Sequence, residues 1–143
     1  MNPKRLLLAI VVVFVGVWIT DFLIHAVWLA GAYKETMSLW RTDAEMQQHM
    51  GWLMLGQLIF AAAFVVIWSK GFPATASLGG AALYGLCMGG FSQASTLVTY
   101  AVQPFPASLA AKWFFAGLAQ GALMGLVVFF VYKPKTAEAK PAS

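Results

Sequence analysis

Residues 71–111, GFPATASLGGAALYGLCMGGFSQASTLVTYAVQPFPASLAA, run for 41 positions without a charged side chain. An α-helix rises 1.5 Å per residue and needs about 20 apolar residues to cross roughly 30 Å of hydrocarbon. The stretch is too long for one crossing and must turn back. Pro73 near its start and Gln103-Pro104-Phe105-Pro106 near its end supply the breaks, because proline has no N–H with which to continue a helix. A span is therefore expected over about 78–102. Another follows over about 109–132, with Lys112 in its first turn and Lys133-Pro134-Lys135 as its stop.

The pattern extends upstream. Uncharged gaps at 6–20, 22–33 and 46–69 give a first span over about 6–32, interrupted by Asp21 and His25, and a second over about 50–68. Only 10% of the 143 residues are charged, against about 25% in ordinary soluble domains, and 61% are hydrophobic. A soluble chain of about 150 residues buries some 68–70% of its surface and would leave large apolar patches in water. The expected fold is all-α: an integral membrane four-helix bundle forming one domain over residues 1–135, with lipid as its solvent. Residues 136–143 are expected to be a disordered polar tail.

Four crossings put both termini on one side. Lys4, Arg5, Lys70, Lys133, Lys135 and Lys140 fall there, against Lys34, Arg41 and Lys112 on the other, so both termini are expected in the cytoplasm. The aromatic residues agree: Trp28, Tyr33, Trp40, Trp52, Tyr100, Phe105 and Trp113 mark the outer boundary, and Trp68, Phe72 and Tyr132 the inner one. The N-terminus resembles a secretory signal, with Ala30-Gly31-Ala32 as a small-x-small pattern. Cleavage there would discard Asp21, His25 and Trp28 in a segment longer than a signal core, so a retained first span is expected.

Charge and cysteine content exclude other classes. The net charge of +4 comes from basic residues scattered singly or in pairs at the ends of apolar runs, which sets orientation and does not make a nucleic-acid surface. Cys87 is the single cysteine, so neither an internal disulfide nor a C-x-x-C redox pair exists. H-E-x-x-H, a phosphate-binding glycine loop and a nucleophile with a base at a recognisable spacing are all missing. Non-enzymatic readings are therefore favoured.

In the first outer loop, Tyr33, Met37 and Trp40 recur at helical spacing, which predicts a short interfacial helix with its apolar side in lipid. Thr42-Asp43-Ala44-Glu45 reads as a capping box that starts the next helix near Asp43. Gly85 and Gly89 in the third span, and Gly117, Gly121 and Gly125 in the fourth, repeat every four residues. In lipid, helices associate by close packing and polar contact, so these stripes predict tight packing of spans three and four, with a homodimer seam as the alternative.

At 1.5 Å per residue, Asp21, His25, Gln57, Gln93, Thr96 and Gln120 all fall in the outer half of the membrane. All four spans contribute, which predicts a buried polar network or a small hydrated cavity. Asp21 is the most demanding member. An aspartate inside a span costs about 2.5–3.5 kcal/mol on insertion scales and must be paired, protonated or hydrated. His25 follows at i+4 on the expected helical face, so the two could bond each other, pass a proton or bind a metal with help. Glu45 and His49 repeat the spacing, and Asp21, His25, Glu45 and His49 together would suit Zn, Fe or Mn. Haem between His25 and His49, and Cu(I) on Met46, Met50 and Met54, complete the cofactor alternatives to a chain without a cofactor.

The stretch Thr20-Asp21-Phe22-Leu23-Ile24-His25, then Tyr33, Leu39-Trp40-Arg41 and Glu45-Met46, resembles the opening of an uncharacterised family of small four-helix bacterial inner-membrane proteins. Trp113-Phe114 with Gly117 and Gln120 is similar too. The resemblance implies the same fold and location and no assigned activity. The leading expectation is an accessory subunit that contacts a larger membrane complex or a second copy of itself. The alternatives are a minimal proton- or cation-coupled transporter using Asp21 and His25, and an outward-facing metal or haem module.

Overall fold

The structure, a computed structural model, describes residues 2–72 and 76–132. The expected tail at 136–143 and the Lys133-Pro134-Lys135 stop lie outside the described residues. The chain runs through α1 (Pro3–Asp21), a π-helix (Phe22–Trp28), α2 (Ala30–Glu35), a 3₁₀ turn (Met37–Leu39), α3 (Asp43–Gly71), α4 (Leu78–Val102) and α5 (Ala107–Val131). Among the described residues there is no strand.

Local chemistry explains the helix boundaries. Asn2 Oδ1 accepts from the backbone N–H groups of Lys4 and Arg5, with Pro3 in the first turn where its missing N–H costs nothing. Thr42 and Glu45 form the reciprocal capping box at the start of α3. Ser77 Oγ accepts from Gly80 N at 3.0 Å to open α4, and Pro106 precedes α5. Helices α1 with its π extension, α3 and α5 are long and apolar enough to cross a membrane. α4 has the length, 25 residues, but Ser92, Gln93, Ser95, Thr96 and Thr99 dilute its apolar character.

α1 packs on both α3 and α5, and α4 packs most closely on α5. The small stripe Ala9, Val13 and Val17 buries the α1 side. Between α4 and α5 the backbones nearly touch. A Cβ on Gly85 would stand 2.1 Å from the Gly121 carbonyl oxygen, and one on Gly125 would stand 2.2 Å from that of Ala81. Only glycine permits this approach, and in lipid such close packing drives association.

Two apolar clusters bracket the bundle. At the end carrying Asn2 and Tyr132, Phe64, Trp68, Tyr84, Met124 and Val128 form the larger one. Tyr84 donates its hydroxyl to the Phe64 carbonyl, and Trp68 Nε1 donates to that of Tyr132 at 3.3 Å. At the opposite end Leu29, Phe105, Leu109 and Ala110 are buried beneath Tyr33, Trp40 and Trp113. The expected interfacial helix is thereby corrected. It is divided into α2 and a 3₁₀ turn, and Tyr33 and Trp40 cap the bundle, edge to face at 5.7 Å, while Met37 points away, 69% exposed. Aromatic packing on Phe105 and Trp113 outcompetes a flat helix on lipid.

A polar cavity between two apolar clusters

The polar side chains meet between these clusters. A half-open cavity of about 250 Å³ is walled by residues of α1, the π-helix, α3, α4 and α5, among them Asp21, His25, Gln57, Ser92, Gln93, Trp113 and Gln120. Asp21 is the last residue of α1, where the hydrogen-bonding pattern changes to the wider π form. Leu29 N accordingly reaches back five residues to Ile24 O, at 2.9 Å. Isolated π segments inside helices recur at functional sites.

Two amides from different helices hold the Asp21 carboxylate. Gln57 Nε2 of α3 donates to Oδ2 at 2.5 Å, and Gln120 Nε2 of α5 donates to Oδ1 at 2.6 Å. Both carboxyl oxygens accept a hydrogen bond. Gln120 also donates to Thr20 Oγ1 at 2.7 Å, and Thr20 in turn donates back to the Gly16 and Val17 carbonyls. No Lys or Arg is among the cavity walls. The Asp21 carboxyl is met by amide groups, at the junction of α1 and the π-helix. Gln57 Oε1 is buried and accepts from no protein donor.

His25 leaves Asp21 for another partner. Its Nδ1 lies 2.5 Å from the Tyr33 hydroxyl, which also accepts from Trp113 Nε1 at 2.8 Å. An indole N–H only donates, so the phenol proton is free for Nδ1, and the geometry favours the neutral imidazole with its proton on Nε2. Burial pushes the Tyr33 hydroxyl above its ordinary pKa, partly offset by the Trp113 hydrogen bond and reinforced by the Asp21 charge. The phenol therefore keeps its proton at neutral pH. Direct Asp21–His25 bonding is one of the options their i, i+4 spacing offers; both residues line the cavity, and the Trp113–Tyr33–His25 relay takes Nδ1 instead.

Gln93 also lines the cavity, while Thr96 donates to Gln93 Oε1 at 2.6 Å and so orients its amide. Gly117 is part of the same arrangement: a Cβ there would fall 2.2 Å from Gln93 Nε2. The four-residue metal set is not assembled. Among the described residues no three His, Cys, Asp or Glu side chains converge. Glu45 Oε2 accepts from Thr42, and His49 Nδ1 donates to the Glu45 carbonyl at 2.7 Å. Cap and own-helix contacts occupy both residues.

Sequence reasoning passed over Thr20, Tyr33 and Trp113 as members of the site. Thr20 had only its adjacency to Asp21 as a signal, and the two aromatic residues read as interfacial anchors. No family model, no curated protein and no solved structure matches the chain.

Proposed function

We propose that this chain is a four-crossing membrane protein that binds a small cation or a proton at Asp21 and carries it across the bilayer. One observation carries the reading: Asp21, in a helix long and apolar enough to cross a membrane, is held by the amides of Gln57 and Gln120 and lines a cavity with no Lys or Arg among the described residues of its walls. Ionisable groups inside spans mark ion and proton paths, since their insertion cost has to be offset by function or pairing. In this reading α1 with its π extension, α3, α4 and α5 are the crossings. Both termini face the cytoplasm, because Lys4, Arg5 and Lys70 share the side of the tail lysines in the sequence, and the family resemblance supports a bacterial inner membrane.

The cavity is favoured over the accessory-subunit reading by what the glycines do. Gly85, Gly89, Gly121 and Gly125 are occupied by one another and by Ala81 within the chain, so the four-residue glycine repeats of α4 and α5 are used inside it. The test is flux in proteoliposomes, measured with a pH-sensitive dye and a panel of inorganic and organic cations. Asp21→Asn is expected to abolish cation or proton movement. Flux unchanged in that variant removes Asp21 from the mechanism and overturns the proposal.

A further inference from the structure

We infer that the cation is organic: a small ammonium with at least one N–H and an apolar body. The inference rests on the cation site just proposed and specifies its ligand. Three observations carry it. First, Asp21 supplies a negative charge that no Lys or Arg of the cavity walls neutralises. Second, Ser92 and Gln93 line the same cavity, so hydroxyl and amide oxygens accompany Asp21 there. An N–H bearing ligand can donate to such oxygens as well as to the carboxyl group. Third, Val17, Ile24, Phe60 and Trp113 give the cavity an apolar and aromatic wall beside the polar side chains of His25, Gln57, Ser92, Gln93 and Gln120.

Size and chemistry separate this ligand from an inorganic ion. A bare alkali or alkaline-earth cation takes six or more oxygens in a tight shell, whereas this cavity offers one carboxylate and a few amides in about 250 Å³. A dry cavity of about 150 Å³ accommodates benzene. The larger space here suits a ring or short alkyl chain against Phe60 and Trp113, with the ammonium at Asp21, where cation–π attraction adds to the charge pair.

The experiment titrates detergent-purified full-length protein with benzylammonium, with benzyl alcohol as the neutral analogue, and with Na⁺ and K⁺, following tryptophan emission and calorimetric heat. Saturable benzylammonium binding, with benzyl alcohol at least about tenfold weaker, is expected. Asp21→Asn is expected to lose a similar factor. Gly56→Leu, at a cavity-lining position where a Cβ meets nothing within 4 Å, is expected to block binding while keeping the fold, so loss of binding is not confused with unfolding. Equal binding of the alcohol, or full binding by both variants, overturns the inference. If benzylammonium fails while protons or inorganic cations still depend on Asp21, the ammonium assignment falls and the cation site stands. If neither depends on Asp21, both fall.

Discussion

Gln120 Nε2 donates to Asp21 Oδ1 at 2.6 Å while also reaching Thr20 Oγ1 at 2.7 Å, so one amide of α5 grips two successive residues at the end of α1. A hydrogen bond to a charged group contributes about 1.5–3 kcal/mol in general, though interhelical bonds in membranes average about 0.6. Gln120→Leu is therefore expected to cost about 1–2 kcal/mol in a detergent unfolding titration. A double-mutant cycle with Gln57→Leu should show coupling, because both amides act on the same carboxylate. Strict additivity would mean that the carboxylate is not shared.

The α4–α5 seam makes a sharper contrast. Gly85→Ala and Gly121→Ala place a methyl group within 2.1 and 2.4 Å of the facing carbonyl oxygen, and backbone cannot yield as a side chain does. Each is expected to cost about 1–3 kcal/mol or more by overpacking. Gly79→Ala meets only Ser77 Oγ, at 3.9 Å, and should be neutral or slightly stabilising. Equal melting temperatures for all three variants would show that the helices do not pack through these glycines.

Tyr33→Phe removes the oxygen shared by His25 and Trp113. Trp113 emission is expected to shift, and the His25 ring nitrogens, followed by ¹⁵N NMR, should lose their preference for the Nε2–H tautomer. Wild-type spectra with the proton on Nδ1 would contradict the relay.

At the start of α3, the Thr42 backbone N–H and hydroxyl hold the Glu45 carboxyl below its ordinary pKa, with smaller help from Arg41 and His49. A folded-state pKa below the unfolded one means that the stabilisation is complete above the unfolded carboxylate value and is lost as pH falls through the depressed one. The cap should therefore fray only in acid. Thr42→Ala removes the hydroxyl and keeps the backbone N–H, so Glu45 is expected to move only part of the way back toward the ordinary carboxylate range in an NMR titration, and an unmoved curve would rule out the hydroxyl as a cause.

Much of the helical layout was legible because it depends on local rules. Thr42 and Glu45 announce a helix start by their side chains alone, and Pro104 and Pro106 separate α4 from α5 by steric exclusion. The depth of Asp21, Gln57, Gln93 and Gln120 followed from counting residues, and these four do line one cavity. The Asp21–His25 relation was not legible. The spacing of four does keep both at one cavity, but the partner of His25 Nδ1 is Tyr33, held in turn by Trp113 of α5, 80 residues further on.

The sequence by itself determined that the chain is helical and apolar, and that Asp21 stands apart from the other charges inside a long hydrophobic run, since composition and period are properties of the chain alone. Only the tertiary structure decided what meets Asp21: two amides from helices 36 and 99 residues away. Nothing local encodes such partners. They come together because α5 packs against α1 on one side and against α4 through the glycine seam on the other, while α3 covers the remaining face of α1.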